Sequence, residues 1–154
     1  GDLDEAVLET LYEDVEDEYN NAIDEKKRPA NKIVIFDDLG FGGAMRGRSK
    51  FGIVDKLVMN GRHFNLSSAF LIQSYKQISP DVRGNLSGLV VFNLSTRELE
   101  AIINEHNYLE NSKSFLRMFR ATTKKKHSNF IINYSNDPEA LYQDSNFMPV
   151  KAIE

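Results

Sequence analysis

The sequence contains no cysteine, so the chain can form neither disulfides nor thiolate metal sites. It has no apolar run of the length that crosses a membrane and no signal-peptide pattern. We therefore expect a soluble, intracellular protein with no membrane partner. Its first residue is Gly1 rather than methionine, which indicates a fragment or a processed chain.

The formal net charge of -4 conceals an uneven distribution of charge. Residues 1–25 contain eleven of the 23 acids and no base, so residues 26–154 carry 12 acids against 19 Lys and Arg. A basic body is typical of proteins that handle polyanions, although an ordinary charged surface gives the same composition.

The acidic segment is predicted to be an amphipathic helix within residues 1–28. Its apolar stripe recurs every four residues, at Leu3, Val7, Leu11, Val15, Tyr19 and Ile23. Basic residues at 26–28 suit the negative end of the helix dipole, and Pro29 ends the helix.

Short apolar runs alternate with helical segments over residues 32–135. The patterns predict strands at 32–38, 66–74, 88–94 and 129–134, and helices at 51–62, 96–106 and 109–120. Ser95, with Glu98 three residues later, is the predicted N-cap of the helix at 96–106. The first strand is expected to be buried on both faces, as in parallel sheets. Alternation of this kind predicts an α/β protein with a three-layer sheet, in one domain over 1–154 with an irregular tail at 136–154.

Paired acids, Asp37 and Asp38, end the first predicted strand. The carboxyl ends of parallel strands are where α/β proteins bind ligands, so this pair is a candidate catalytic site. A pair that only caps a turn is the structural alternative. A phosphoacceptor receiver domain is excluded, because later strands end in Gln73-Ser74 and Asn93-Leu94 instead of the aspartate and lysine it requires.

Residues 42–49 (Gly-Gly-Ala-Met-Arg-Gly-Arg-Ser) have the spacing of a phosphate-binding P-loop, with arginine in place of lysine. A P-loop follows its strand directly, whereas five residues intervene here, and arginine replaces that lysine poorly. We interpret the segment as a loop near the site that lends Arg46 or Arg48 to DNA or to a neighbouring subunit.

Two further segments follow the paired acids in order. Residues 61–74 (Gly-Arg-His-Phe-Asn-Leu-Ser-Ser-Ala-Phe-Leu-Ile-Gln-Ser) precede residues 78–85 (Ile-Ser-Pro-Asp-Val-Arg-Gly-Asn). Together with Asp37 and Asp38 they resemble the poxvirus-type DNA-packaging ATPases of large DNA viruses and virophages, in the FtsK–HerA branch of P-loop ATPases. The resemblance covers residues 30–106 and implies a P-loop (RecA-like) sheet with helices on both faces.

The resemblance also implies roles for single residues. Asp37 matches the acid that binds Mg²⁺, Asp38 the catalytic acid, and Gln73 the polar sensor of the γ-phosphate of ATP. Arg83, expected on a loop, matches an arginine finger that reaches a neighbouring subunit, with Arg62 as the second candidate. Salt bridges are the alternative for both arginines.

The chain departs from the family in lacking a Walker A loop before Lys32, and so lacks the Walker A strand. Either that half lies outside this chain or the protein has lost it. In the first case the chain is part of an ATPase that is inactive alone. In the second it is a non-hydrolysing DNA-binding or scaffold subunit of the same fold.

A basic loop lies at Lys124, Lys125 and Lys126, after a predicted helix that carries Arg117 and Arg120. Adjacent lysines on a loop contact phosphates without reading sequence, so we predict double-stranded DNA as the partner. A solvated turn is the alternative.

The resemblance thus implies ATP-driven translocation of viral DNA into a capsid. The implied partners are a homo-oligomeric ring and a capsid or portal component. The implied location is the host cytoplasm or viral factory, on assembling virions.

Overall fold

The computed structural model describes residues 4–37 and 52–152, so Asp38 and the P-loop-like segment 42–49 lie outside the described residues. The chain divides into two compact units, Gly1–Asn85 and Leu86–Glu154. The predicted α/β class is confirmed: helices accompany one parallel and one antiparallel sheet.

In its described residues the first unit holds three helices and two strands, in the order α1, β1, α2, β2, α3. Their bounds are α1 Glu5–Asp24, β1 Lys32–Asp37, α2 Ile53–Asn60, β2 Leu66–Leu71 and α3 Pro80–Gly84, with 3₁₀ turns at Gly61–Phe64 and Tyr75–Gln77. The acidic helix and both strands were predicted, whereas α3 was not.

The face that α1 buries differs from the predicted stripe. Leu8, Tyr12 and Val15 are at most 7 % exposed, whereas Val7 is 62 % and Ile23 is 50 % exposed. A helix turns every 3.6 residues, so a strict spacing of four drifts by about 40° per step and leaves the face it started on. The core follows alternating spacings of four and three instead. The predicted stripe was therefore wrong at Val7 and Ile23 and right at Val15.

Aromatic contacts fix α1 on its unit. The rings of Tyr12 and Tyr19 both stand edge-on to Phe64, with centroids 5.8 Å apart in each pair. The Lys56 ammonium of α2 lies 4.0 Å above the Tyr12 ring, a favourable cation–π position. These contacts come from the 3₁₀ turn before β2 and from α2. They tie the acidic helix to the elements that flank the sheet.

Strands β1 and β2 pair in parallel, with Phe36 opposite Phe70 and Asp37 opposite Leu71. The Phe36 and Phe70 rings stack with centroids 4.7 Å apart, and Phe36 is 2 % exposed. Residues on the other face remain open: Ile33 is 62 % and Ile35 is 58 % exposed. The prediction that β1 is buried on both faces was wrong, because the described residues cover only one face of this pair.

The second unit is an antiparallel sheet in the order β3-β4-β5, with two helices in the connection from β3 to β4. The bounds are β3 Gly88–Val91, α4 Thr96–His106, α5 Ser112–Thr122, β4 Phe130–Asn133 and β5 Tyr142–Asp144, with a 3₁₀ turn at Pro138–Ala140. The predicted N-cap of α4 is confirmed, because the Ser95 hydroxyl accepts a hydrogen bond from the Glu98 amide.

The core of this unit is a cluster of aromatic rings. Phe130 is fully buried, stacks on Tyr142 at 5.5 Å, and meets Phe115 and Phe119 of α5 edge-on. Helix α5 begins at Ser112, later than predicted, because the Asn111 side chain accepts from the Ser114 amide and so caps the helix there.

The segment after Asn136 was predicted to be irregular, and this was wrong. Tyr142–Asp144 forms β5, which pairs antiparallel with β4, and Gln143 makes a further bridge to Pro149. Gln143 is buried although it is polar, so the strand shows no apolar alternation that a sequence pattern could detect. Tertiary pairing, rather than local propensity, defines it.

None of the helices in residues 4–37 and 52–152 is long and apolar enough to span a membrane.

Two valines of α1 test which face is inside. We expect Val15→Ala to lower the free energy of unfolding by about 2 kcal/mol, because two buried methyl groups are lost and a cavity remains. Val7→Ala should change it by less than about 0.5 kcal/mol, since Val7 is largely solvated and alanine favours helix. Urea unfolding followed by circular dichroism measures both. Equal losses would contradict the observed packing.

Candidate functional site

The carboxyl edge of the β1–β2 pair brings two predicted site residues together. Asp37 is the last residue of β1 and stands opposite Leu71, the last residue of β2. Gln73 follows Leu71 by two residues, so it leaves the sheet at the same edge. The predicted strand 66–74 does lie beside the strand of Asp37, but it ends at Leu71, so Gln73 lies two residues beyond it.

Asp37 is exposed, on the face of β1 that also carries Ile33 and Ile35. Among the described residues its carboxylate accepts no hydrogen bond and joins no ion pair. The oxygens of an exposed carboxylate can bind a cation or water. Its predicted partner Asp38, and Arg46 and Arg48 of the following loop, lie outside the described residues.

A chain of caps fixes the segment beyond Gln73. Ser74 and Gln77 form a reciprocal capping box, in which the Gln77 carboxamide oxygen accepts from the Ser74 amide at 3.1 Å. Tyr75 and Ile78 are buried at 4 % and 3 % exposure. Gln73 is therefore followed directly by an anchored turn rather than by a flexible loop.

Arg83 lies in the short helix α3 and not on a loop as predicted. The Ser79-Pro80 pair explains the helix: the Ser79 hydroxyl caps it by accepting from the Val82 amide at 3.2 Å, and Pro80 takes the first position. This start signal is visible in the sequence and was missed.

The Arg83 side chain is half-buried and engaged within its own unit. Its Nη1 donates to the Ile78 carbonyl at 3.1 Å, and its guanidinium lies 5.0 Å from the centroid of the Tyr75 ring. Arg83 is thus held by the same turn that follows Gln73. The structure links the two candidates through about ten residues of ordered chain.

Sequence reasoning did not select Asp55, a buried acid of α2. Asp55 is 8 % exposed, and its Oδ1 accepts from the Ser79 hydroxyl at 2.9 Å. The hydroxyl therefore bridges α2 to the first turn of α3, which carries Arg83. Only the tertiary structure shows this contact, because the two residues are 24 positions apart.

Arg62 lies at the other edge of the strand pair. It belongs to the 3₁₀ turn Gly61–Phe64, which enters β2 at its amino end. A strand of six residues separates that end from the Asp37 edge by about 20 Å. Within one chain Arg62 is therefore remote from Asp37, and its candidate role requires contact between subunits.

The second unit holds the basic loop and two histidines. Lys124, Lys125 and Lys126 are exposed between α5 and β4, and Arg117 is exposed on α5.

His106 is buried among tyrosines of the second unit. Its Nδ1 contacts the Tyr134 hydroxyl, and its carbonyl accepts a hydrogen bond from Tyr142 Oη at 2.9 Å. Burial raises the pKa of Tyr134 well above its usual range.

The chemistry of the Asp37 edge fits Mg²⁺ bound with a nucleotide. Mg²⁺ takes one or two carboxylates and completes its octahedron with water and substrate phosphates, so a dedicated protein cage is not needed. Across the described ranges no three His, Asp or Glu converge to form such a cage. Asp37, exposed at the edge, is suited to the first kind of site.

A protein-family model described as "Poxvirus A32 protein" matches residues 4–142. Comparison with curated protein sequences gave no significant match.

Solved structures of viral packaging enzymes share the fold. The genome packaging NTPase B204 from Sulfolobus turreted icosahedral virus 2, in complex with AMPPCP, aligns with a TM-score of 0.59 at 14% identity over 98% of this chain and 63% of that chain. Its complex with ATP-gammaS gives 0.59 and 14% over 97% and 65%.

The DNA-packaging ATPase B204 from Sulfolobus Turreted Icosahedral Virus aligns at 0.54 and 13% over 79% of this chain and 52% of that chain. The chain thus spans between half and two thirds of the length of these structures. At such low identity the likeness is one of fold, and it confirms the predicted P-loop-type α/β fold.

Ser79 and Ser95 test the bridge to Asp55, because both serines cap a helix through their hydroxyl groups. Ser95→Ala should cost about 1 kcal/mol of stability, the usual value of a lost N-cap. Ser79→Ala should cost about 2–3 kcal/mol, because it also leaves the buried Asp55 carboxylate without its donor. Ser79→Thr, which keeps the hydroxyl, should lie near the wild type. Denaturant unfolding and amide exchange at Val82 and Arg83 measure the effect; equal losses for both alanine variants would show that Asp55 gains nothing from the bridge.

Proposed function

Since this chain belongs to the Poxvirus A32 protein family, we propose that it forms the Walker B and sensor part of an ATPase that drives double-stranded viral DNA into a capsid. The observation that supports this most directly is the parallel register of β1 and β2. It brings Asp37 and the segment of Gln73 to one edge, where a nucleotide would meet both.

In this proposal each residue at the edge has one task. Asp37 holds the Mg²⁺ shell, and Asp38 orients and polarises the attacking water. Gln73 contacts the γ-phosphate or that water through its carboxamide, which can both donate and accept. Bound Mg²⁺ supplies charge neutralisation on the phosphates.

Hydrolysis further requires a Walker A lysine and backbone amides to hold the phosphates. The described residues do not supply them, so this chain alone is not expected to turn over ATP. A gene product that carries Gly-x-x-x-x-Gly-Lys-Ser/Thr together with this chain is the protein to test.

The packaging partners follow from the same proposal. Subunits form a ring in which Arg83, or else Arg62, stabilises transition-state charge on a neighbour's nucleotide. Bases of the second unit, among them Lys124, Lys125 and Arg117, contact the DNA backbone. The ring acts on assembling virions, in the host cytoplasm or viral factory, with a capsid or portal component.

The contacts of Arg83 with Tyr75 and Ile78 constrain how Arg83 would act as an arginine finger. An arginine held by its own turn can reach a neighbour only if that turn yields or the neighbour's phosphate competes for the guanidinium. Because the turn follows Gln73 directly, a movement of Gln73 on loss of the γ-phosphate would shift the turn that holds Arg83. This gives hydrolysis in one subunit a physical route to the interface with the next.

Asp38 provides the test of hydrolysis. In the protein that carries the Walker A loop, Asp38→Asn should lower ATP turnover by about a hundredfold or more, because general-base and water-orienting carboxylates contribute on that scale. ATP affinity should stay within a few fold. Steady-state turnover and a nucleotide-binding titration separate the two quantities.

The matched control is Asp137→Asn, which makes the same change at an exposed position of the second unit. Full turnover in Asp38→Asn would remove Asp38 from the mechanism. No ATP binding by the wild type would favour the other interpretation, a non-hydrolysing DNA-binding or scaffold subunit.

Arg83 is tested by mixing subunits. Arg83→Ala should bind ATP and assemble, but hydrolyse about a thousandfold more slowly. Mixing it with Asp38→Asn subunits should restore part of the activity, because one kind of interface then has both an intact acid and an intact arginine. Arg97→Ala, an exposed arginine of α4, is the control.

Mixed rings that show no recovery at any ratio would contradict action in trans by Arg83. Its contacts with Tyr75 and Ile78 would then be its whole role, and Arg62→Ala would be the next variant in the same assay.

A further inference from the structure

Helix α5 and the loop after it form the most one-sided charge distribution outside the acidic helix. Residues 111–130 contain six Lys and Arg and no acid. Lys113, Arg117 and Arg120 are spaced at i, i+4 and i+7, so they share one face of α5, opposite buried Phe115 and Phe119. Among the described residues none of these bases forms an ion pair.

Two surface clefts follow this basic face. One, of about 560 Å³, is lined by Lys124 and Lys125 of the loop together with Lys151 of the C-terminal segment. The other, of about 1000 Å³, is lined by Lys113 and Arg117 of α5 and by Ala152 of the C-terminal segment. Lys151 and Ala152 are adjacent in sequence, so both clefts border the C-terminal segment.

Hydrogen bonds hold that segment in place. The Val150 amide donates to the Tyr142 carbonyl at 2.9 Å, and Gln143 bridges to Pro149. Strand β5, which the sequence did not reveal, therefore delivers Lys151 to the basic loop across 26 positions of sequence. The backbone is hydrogen-bonded as far as Val150, the residue before Lys151, and Lys151 lines the smaller cleft.

Two of the described residues that line the clefts are acids. Glu110 lines the larger cleft and Asp144 the smaller one. The Asp144 Oδ1 already accepts hydrogen bonds from the Asn146 and Met148 amides at 2.8 Å and 3.0 Å, so this oxygen is engaged within its own turn. Five bases against two acids leave both clefts positive.

We propose that the two clefts form one phosphate-binding track for the backbone of duplex DNA, in which Lys151 is a cation as important as Lys124 and Lys125, and from which Lys126 is excluded. This inference rests on the proposed function and assigns its DNA contact to particular residues. Lys126 is exposed on the same loop but lines neither cleft.

The spread of the cations favours a polynucleotide over a single nucleotide. Helix α5 has 11 residues and is about 16 Å long, so its bases are distributed along a line instead of converging on one phosphate. A DNA strand offers phosphates at regular intervals along such a line. None of the residues that line the smaller cleft is aromatic, so stacking of unpaired bases has no platform there.

The test measures duplex binding by single-lysine variants of the chain. Fluorescence anisotropy with a mixed-sequence duplex at several salt concentrations gives the affinity and its salt slope. Lys151→Ala should lower the magnitude of the slope by about 0.9 and the affinity about eightfold near 0.1 M salt, the effect of one lost phosphate contact. Lys113→Ala should act alike, and Lys151→Arg should restore binding.

Lys126→Ala is the matched control and should change affinity by less than about twofold, because only a distant, screened charge is removed. Equal losses for Lys126→Ala and Lys151→Ala would overturn the track, since binding would then depend on charge alone. Tighter binding of single strands than of the duplex would also overturn it. No duplex binding by the wild-type chain would overturn both the track and the proposed DNA contact, whereas failure of the Asp38→Asn test leaves the track standing.

Discussion

Parallel pairing of β1 with β2 in a single register sets where Asp37, Gln73 and Arg62 lie in the first unit. Asp37 ends one strand opposite the end of the other, so Gln73 must leave the sheet beside it. Phe36 stacked on Phe70 locks the register one pair earlier, because a slip of one strand by one residue would turn its ring to the opposite face and break the stack. The same register sends Arg62 to the far edge. Asp37 and the turn that carries Arg62 are therefore separated by the strand length.

Side-chain hydrogen bonds hold the segment between β2 and α3 in place. The capping box at Ser74, the cap at Ser79 and the Asp55–Ser79 bridge form a continuous set of contacts from β2 to α3. Each contact satisfies a backbone amide or a buried carboxylate that would otherwise be costly. Arg83 sits at the end of this set, on the ring of Tyr75. A small helix thus positions a functional candidate more firmly than the predicted loop would have done.

The sequence predicted most of the elements but not what covers them. Strong local signals, such as Ser95 before α4 and Pro29 after α1, placed helices to within a few residues. Strand β5 was missed because pairing with β4, and not the polarity of Gln143, makes it a strand. Apolar residues in β1 predicted two buried faces, but residue type states only what a position prefers and not which neighbours are present. For the site, the strand-end acids and Gln73 were visible as a pattern, whereas Asp55 and Lys151 depend on contacts across 24 and 26 positions that no local pattern contains.

Asp37 shares its open face with Ile33 and Ile35, and this has a thermodynamic consequence. Any segment that packs over the two isoleucines gains the free energy of removing their surface from water, and at the same time lowers the dielectric constant beside the carboxylate. If Asp37 holds a cation as proposed, the attraction between the two charges would strengthen as the apolar cover forms, and by linkage the bound cation would stabilise the cover. Covering of Ile33 and Ile35 and cation affinity at Asp37 would then be thermodynamically coupled. A variant that weakens the cover would also weaken cation binding.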